Sequence, residues 1–106
     1  MYAIIRRYKT QSVKAVSSKV QQEFVPVISK ATGFLAYYVV DEGFGSQLSI
    51  SIFEDRAAAE LSNKLAADWV RQHPTLLPDP PEIFSGEVTV HKRPQRGDDR
   101  QAVGSN

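Results

Sequence analysis

Along this chain of 106 residues, apolar spacing alternates between steps of two and steps of three or four. The order of those switches constrains the fold more than any motif does. Tyr2 to Tyr8 alternates as a strand, with Ala3, Ile5 and Arg7 on one side and Tyr2, Ile4, Arg6 and Tyr8 on the other. Both sides carry apolar residues, so both faces are expected to be covered. Val13, Val16, Val20, Phe24 and Val27 then form one stripe on an amphipathic helix that Thr10 or Ser12 can cap. Pro26 should kink that helix or split off its last turn, and Gly33 ends the segment.

Phe34 to Val40 is almost continuously apolar, as a strand covered on two faces would be. Leu48 to Phe53 alternates, and the glycine-containing Asp41–Ser46 stretch makes the pair a hairpin. Asp55 suits the N-cap of a second helix, expected over 56–73, with Ala58, Leu61, Leu65 and Trp69 as its apolar stripe and Pro74 as its stop. A stiff stretch with Pro78, Pro80 and Pro81 leads to a last strand over 83–91. The order βαββαβ predicts a ferredoxin-like α+β protomer: a four-stranded antiparallel sheet with two helices on one face. It places one domain over 1–92 and a polar C-terminal tail over 93–106.

Two helices cover one face of such a sheet. The other would expose Ile or Tyr side chains of strand 1, aromatic side chains from strand 2, and Phe53. An apolar face of that extent predicts a homodimer in which two sheets face each other and enclose a barrel-like space.

Composition narrows the partners. Thirteen basic and twelve acidic residues leave a net charge of +1, with no basic stripe interleaved with aromatics, so nucleic acid is not an expected partner. No stretch approaches the ~20 apolar residues that span a bilayer, so no membrane partner is expected. There is no cysteine, which rules out disulfides and thiolate chemistry and favours a reducing cytoplasm. The N-terminus lacks a signal-peptide layout, which points the same way. Two histidines without a carboxylate cluster give no metal signature, and no cofactor is expected.

Gly33-Phe34, the run Ile50-Ser51-Ile52-Phe53-Glu54-Asp55 leading into helix 2, and the Pro-rich connection to the last strand give the chain its likeness to a known group. Over roughly residues 1–92 it resembles the antibiotic-biosynthesis monooxygenase type of dimeric α+β barrel. The resemblance implies a dimer, and a cleft or barrel interior that holds a small flat molecule. Some such proteins oxidise aromatic or quinol-like substrates with molecular oxygen and neither metal nor flavin. Others degrade haem, isomerise lactones or have no known reaction. The haem-degrading branch is expected to place asparagine on strand 1, where this chain has Arg6 and Arg7, and that argues against haem degradation here.

The candidate catalytic residues are Trp69, Asn63, His73 and Arg7. Trp69 either stacks on an aromatic ligand or closes the core stripe of helix 2. Asn63 invites comparison with an asparagine of cofactor-free relatives, although it lies about 120° around the helix from Trp69. His73, one turn beyond Trp69, is either an acid/base group or a cation at the helix C-terminus. One of Arg6 and Arg7 must face the helices, where it needs a partner such as Glu87 or serves as an anion anchor; alternatively both sit near the strand's exposed end and snorkel outward. Tyr37 and Tyr38 lie on opposite faces, and one hydroxyl should reach the cleft. Tyr38, Ser49, Ser51 and Phe53 are the expected ligand-binding residues, with the cleft at the serine-bearing face of strand 3. The expected function is oxygenation of a small aromatic or quinol-like molecule without a cofactor. The alternative is a non-catalytic dimeric module that binds a small ligand or a protein partner.

Overall fold

The computed structural model describes residues 1–94; expectations for the tail beyond Pro94 lie outside the described residues. The chain builds β1 (Tyr2–Lys9), a helical layer, β2 (Phe34–Gly43), β3 (Ser46–Phe53), a long helix and β4 (Glu82–Glu87). The four strands form one antiparallel sheet in the order β2-β3-β1-β4, with both helical layers on one face, which is the ferredoxin-like α+β arrangement. No helix of the described residues is long and apolar enough to cross a membrane.

β1 lies inside the sheet, so its pleat assigns faces to its neighbours. Ile4 pairs with Ser51 and Arg6 with Ser49, and these residues turn toward the helices. Ile5 pairs with Ile50 and with Phe84, and these turn to the open face. β4 ends at Glu87, short of the expected strand over 83–91. The reason is that β1 runs out: Glu87 sits opposite Tyr2, and the last bond runs from the Val88 amide to the Met1 carbonyl. The expected six-residue connection between β2 and β3 tightens to Phe44-Gly45. Gly43, Phe44 and Gly45 all take positive φ there, and the Asp41 carboxylate accepts from the Gly43 amide.

The first helical layer departs from its expected stripe. It comprises α1 (Val13–Lys19), a π-helical turn (Val20–Phe24) and α2 (Val25–Ile28). The Ser12 hydroxyl caps α1 by accepting from the Ala15 amide at 3.1 Å. Val16, Val20, Phe24 and Ile28 are buried, whereas Val27 is exposed. Steps of four overshoot an α-helical turn by about 40° each. The wider π turn takes up that drift and brings Ile28, not Val27, onto the core. Pro26 enters in the first turn of α2, where a missing N–H costs little.

The long helix, α3 (Arg56–Arg71), is capped by the Asp55 carboxylate accepting from Ala58. Its buried face is Ala58, Ala59, Ser62, Ala66 and Trp69. Leu61, expected in the stripe, is 70% exposed, and Leu65 only packs against the core's edge. Small residues win because α3 begins close against the sheet. A Cβ built on Gly33 would stand 2.8 Å from the Ala58 Cβ, and Gly33 itself has φ +74°. The Ser62 hydroxyl is satisfied by the Ala59 carbonyl at 2.6 Å.

Gly33 and Gly43 therefore make a controlled pair. Both have positive φ, but a Cβ at Gly43 meets nothing within 4 Å. Gly43→Ala should cost about 1–2 kcal/mol for its backbone alone. Gly33→Ala should cost roughly 1–3 kcal/mol more, because α3 must move. Denaturant unfolding of the two variants checks this, and equal losses would contradict the close approach.

Candidate functional site

Between the sheet and α3 the helix-facing side chains leave two neighbouring spaces. The inner one, about 20 Å³, has room for a single water. Arg6 and Tyr8 of β1, Tyr37 of β2, Gln47 and Ser49 of β3, and Trp69 of α3 form its polar and aromatic wall. The outer one is an open cleft of about 410 Å³ between α3, the Pro80-Pro81 segment and Ile83 of β4. Arg6, Tyr8, Ala66 and Val70 line both spaces, so Arg6 stands at the junction.

Arg6 is 3% exposed and donates to the Asn63 amide oxygen. Glu87, expected as the partner of a buried arginine, instead sits beside the N-terminal amine on the far edge. Among the described residues no carboxylate pairs with Arg6. Burial lowers the pKa of Arg6, and the neighbouring Tyr8 and Tyr37 phenols oppose that shift. A guanidinium nevertheless stays charged, so a cation is held in the interior by a neutral amide. Burial raises the Tyr8 phenol, opposed by Arg6, and pushes Tyr37 up to about 12. Both phenols are therefore neutral donors at physiological pH.

The expected site residues divide between the two faces. Asn63 and Trp69 belong to the helix side, as does Ser49. As their angular separation suggests, Asn63 is exposed at the cleft and Trp69 buried at the inner space. Ser51 and Phe53 are also helix-facing but are sealed in the core, where Phe53 meets Phe34 edge-on, and they line neither space. Tyr38 does not join Ser49. It pairs with Ile50 on the open face and is 56% exposed, and Tyr37 takes the inward place. Arg7 also lies on the open face, where it donates to both oxygens of Glu42 and reaches Glu82. Its guanidinium stands 5.9 Å from the Phe84 ring centroid. Tyr8 and Gln47 escaped the sequence reading. The parity that Tyr8 shares with Arg6, and Gln47 with Ser49, was the available signal.

His73 lies outside both spaces. Its ring stacks on Trp69 with centroids 4.2 Å apart. Nδ1 lies 2.9 Å from the Trp69 carbonyl oxygen, and Nε2 lies 2.9 Å from the Glu23 carboxylate. Both neighbours are acceptors, so the ring makes both hydrogen bonds only when each nitrogen carries a proton. His73 thus ties α3 to the first helical layer and braces the indole at the inner wall.

The Tyr37 phenol generates a pH test. Below pH 10 it is neutral whether the chain is folded or not. Above that, the unfolded chain ionises first, and stability falls until the folded phenol also ionises at about 12. Tyr37's share of that loss should approach ~3 kcal/mol and disappear in Tyr37→Phe, while the share of the buried Tyr8 phenol remains, as followed by denaturant unfolding across alkaline pH.

No family model matches the chain, and no curated protein does. Solved structures do match. A protein of unknown function from Nitrosomonas europaea, NE2512, superposes with a TM-score of 0.72 at 22% identity, over 88% of this chain and 93% of that one. Rv0793 from Mycobacterium tuberculosis gives 0.69 at 12% identity, over 87% and 98%. The monooxygenase from the gene ActVA-Orf6 of Streptomyces coelicolor, solved with the ligand Nanaomycin D, gives 0.71 at 13% identity, over 89% and 92%. Another match is described as an antibiotic biosynthesis monooxygenase. At these identities the likeness is one of fold: this chain has the protomer fold of antibiotic biosynthesis monooxygenases.

Proposed function

We propose that the cleft beside Arg6 binds a small flat aromatic molecule and that the chain oxygenates it without metal or flavin. The observation that carries the reading is the cleft itself. Its volume of about 410 Å³ falls in the range of small-molecule sites, and its walls are apolar around few polar groups. Ala66, Ala67, Val70, Pro80, Pro81 and Ile83 would cover a ring, while Tyr8 and Asn63 orient its oxygen. Because Arg6 only donates, it holds the Asn63 amide oxygen and leaves the NH₂ end as a donor. The fold shared with the ActVA-Orf6 monooxygenase supports oxygenation as the reaction class.

In that chemistry a phenol reacts with molecular oxygen to give a quinone and water. The ring C–H is replaced by a carbonyl that carries one oxygen atom, and the other atom leaves as water. The ionised substrate supplies the electrons, so the protein's part is to orient the ring, favour its ionisation and exclude solvent. One observation favours the second reading, a non-catalytic ligand-binding module: neither histidine nor carboxylate lines the cleft among the described residues. Oxygen uptake with 1-naphthol, read alongside formation of the quinone, separates the two. Turnover should appear in the wild type, fall about tenfold or more in Asn63→Leu, and persist in Lys64→Ala, an exposed change on the same helix. Saturable binding without oxygen uptake would establish the module instead.

The same reading pairs two copies through the open sheet face. Ile5, Leu48, Ile50 and Ile52 stand there with the exposed Tyr38, Val40 and Phe84. An apolar face of this extent, bordered by the Arg7–Glu42 pair, is uncommon on a monomer, and a twofold pairing would bury it on both copies at once. Sedimentation should return a dimer for the wild type and a folded monomer for Ile50→Lys. A monomeric wild type at micromolar concentration would remove the proposal.

A further inference from the structure

Arg6 is placed unlike any other cation among the described residues. The other lysines and arginines among them are exposed to solvent or, like Arg7, Lys19, Arg56 and Arg71, pair with a carboxylate. Arg6, the buried one, has an amide oxygen. Of its five N–H donors, one meets Asn63, and the polar groups beside it on the sheet, the Tyr8 and Tyr37 phenols with Gln47 and Ser49, are all neutral. Asn63 is exposed at the cleft, so its side chain can swing aside and yield the guanidinium to an incoming oxygen. Arg71 also lines the cleft, but it is exposed and paired with Asp68, so it brings little net charge to a ligand there.

We infer that Arg6 is the specificity residue of the cleft and selects ligands bearing an anionic oxygen, a carboxylate or a phenolate, on a ring-sized apolar body. The physical reason is asymmetric. A neutral ligand gains only apolar burial from the cleft, whereas an anion also compensates a charge already buried there. The same contact would stabilise an ionised substrate in a cleft that has no base of its own. The inference rests on the reading of the cleft as a ligand site.

Calorimetric titration with 1-naphthoate and its neutral counterpart 1-naphthylmethanol tests it on the full chain. The wild type should prefer the anion by about tenfold or more. That preference should vanish in Arg6→Met and also in Asn63→Asp, a near-isosteric change that supplies the missing carboxylate from within. The second variant decides the matter if the first fails to fold. 1-Naphthol, titrated near neutral pH and above its own pKa, distinguishes the sources: tighter binding on ionisation admits phenolates, and no change restricts the site to carboxylates. Equal affinity for the anion and the alcohol would overturn the inference while leaving the cleft as a ligand site. Anion preference that survives in a folded Arg6→Met or in Asn63→Asp would also overturn it. No binding of any probe removes both readings. Anion selectivity without oxygen uptake upholds the inference and ends the oxygenase reading.

Discussion

The pleat of β1 is the constraint on which the rest of the structure hangs. This strand is paired on both sides, so its alternation is imposed on β3 and β4 at once. Two adjacent arginines are thereby sent to opposite environments. Arg7 meets Glu42, Glu82 and an aromatic ring on the open face, where its guanidinium is stabilised chiefly by Glu42. Arg6 goes inward among phenols and an indole. A slip of one residue would exchange them and turn Ile4 and Tyr8 out of the core.

The second determinant is how α3 lies on the sheet. Its first turns are built from alanine and serine, and Gly33 lets the helix come close. The larger Trp69 and Val70 come in its second half, and the inner space and the cleft open there. A uniform leucine stripe would hold the helix at an even distance and leave no such wedge. Phe24 packs on Trp69 with ring centroids 5.8 Å apart, and His73 bridges Trp69 to Glu23, so the two helical layers are joined over the inner space. The cleft is thus framed by braced elements, which favours a preformed site.

Much of the fold was legible because it depends on local patterns. The element order, the Ser12 and Asp55 caps and the pairing of faces in β1 follow from residues within a few positions of each other. The departures each have a cause at longer range. Ile28 replaces Val27 in the core because a π turn absorbs the drift of a four-residue repeat. Leu61 is left outside because α3 turns its alanine and serine face to the sheet. β4 is short because its neighbour ends.

The site was legible only in part, for the same reason. By itself the sequence determined which residues share a face, since alternation along a strand is a property of the chain's own geometry. It thereby limited the inward cation of β1 to Arg6 or Arg7 and the inward phenol of β2 to Tyr37 or Tyr38. Only the tertiary structure decided which of each pair is covered, because the helices choose one face of the sheet. It also decided that Arg6 meets Asn63, 57 residues away, with no acid among the described residues. A buried charge is defined by what packing brings to it, and no spacing along the chain encodes that.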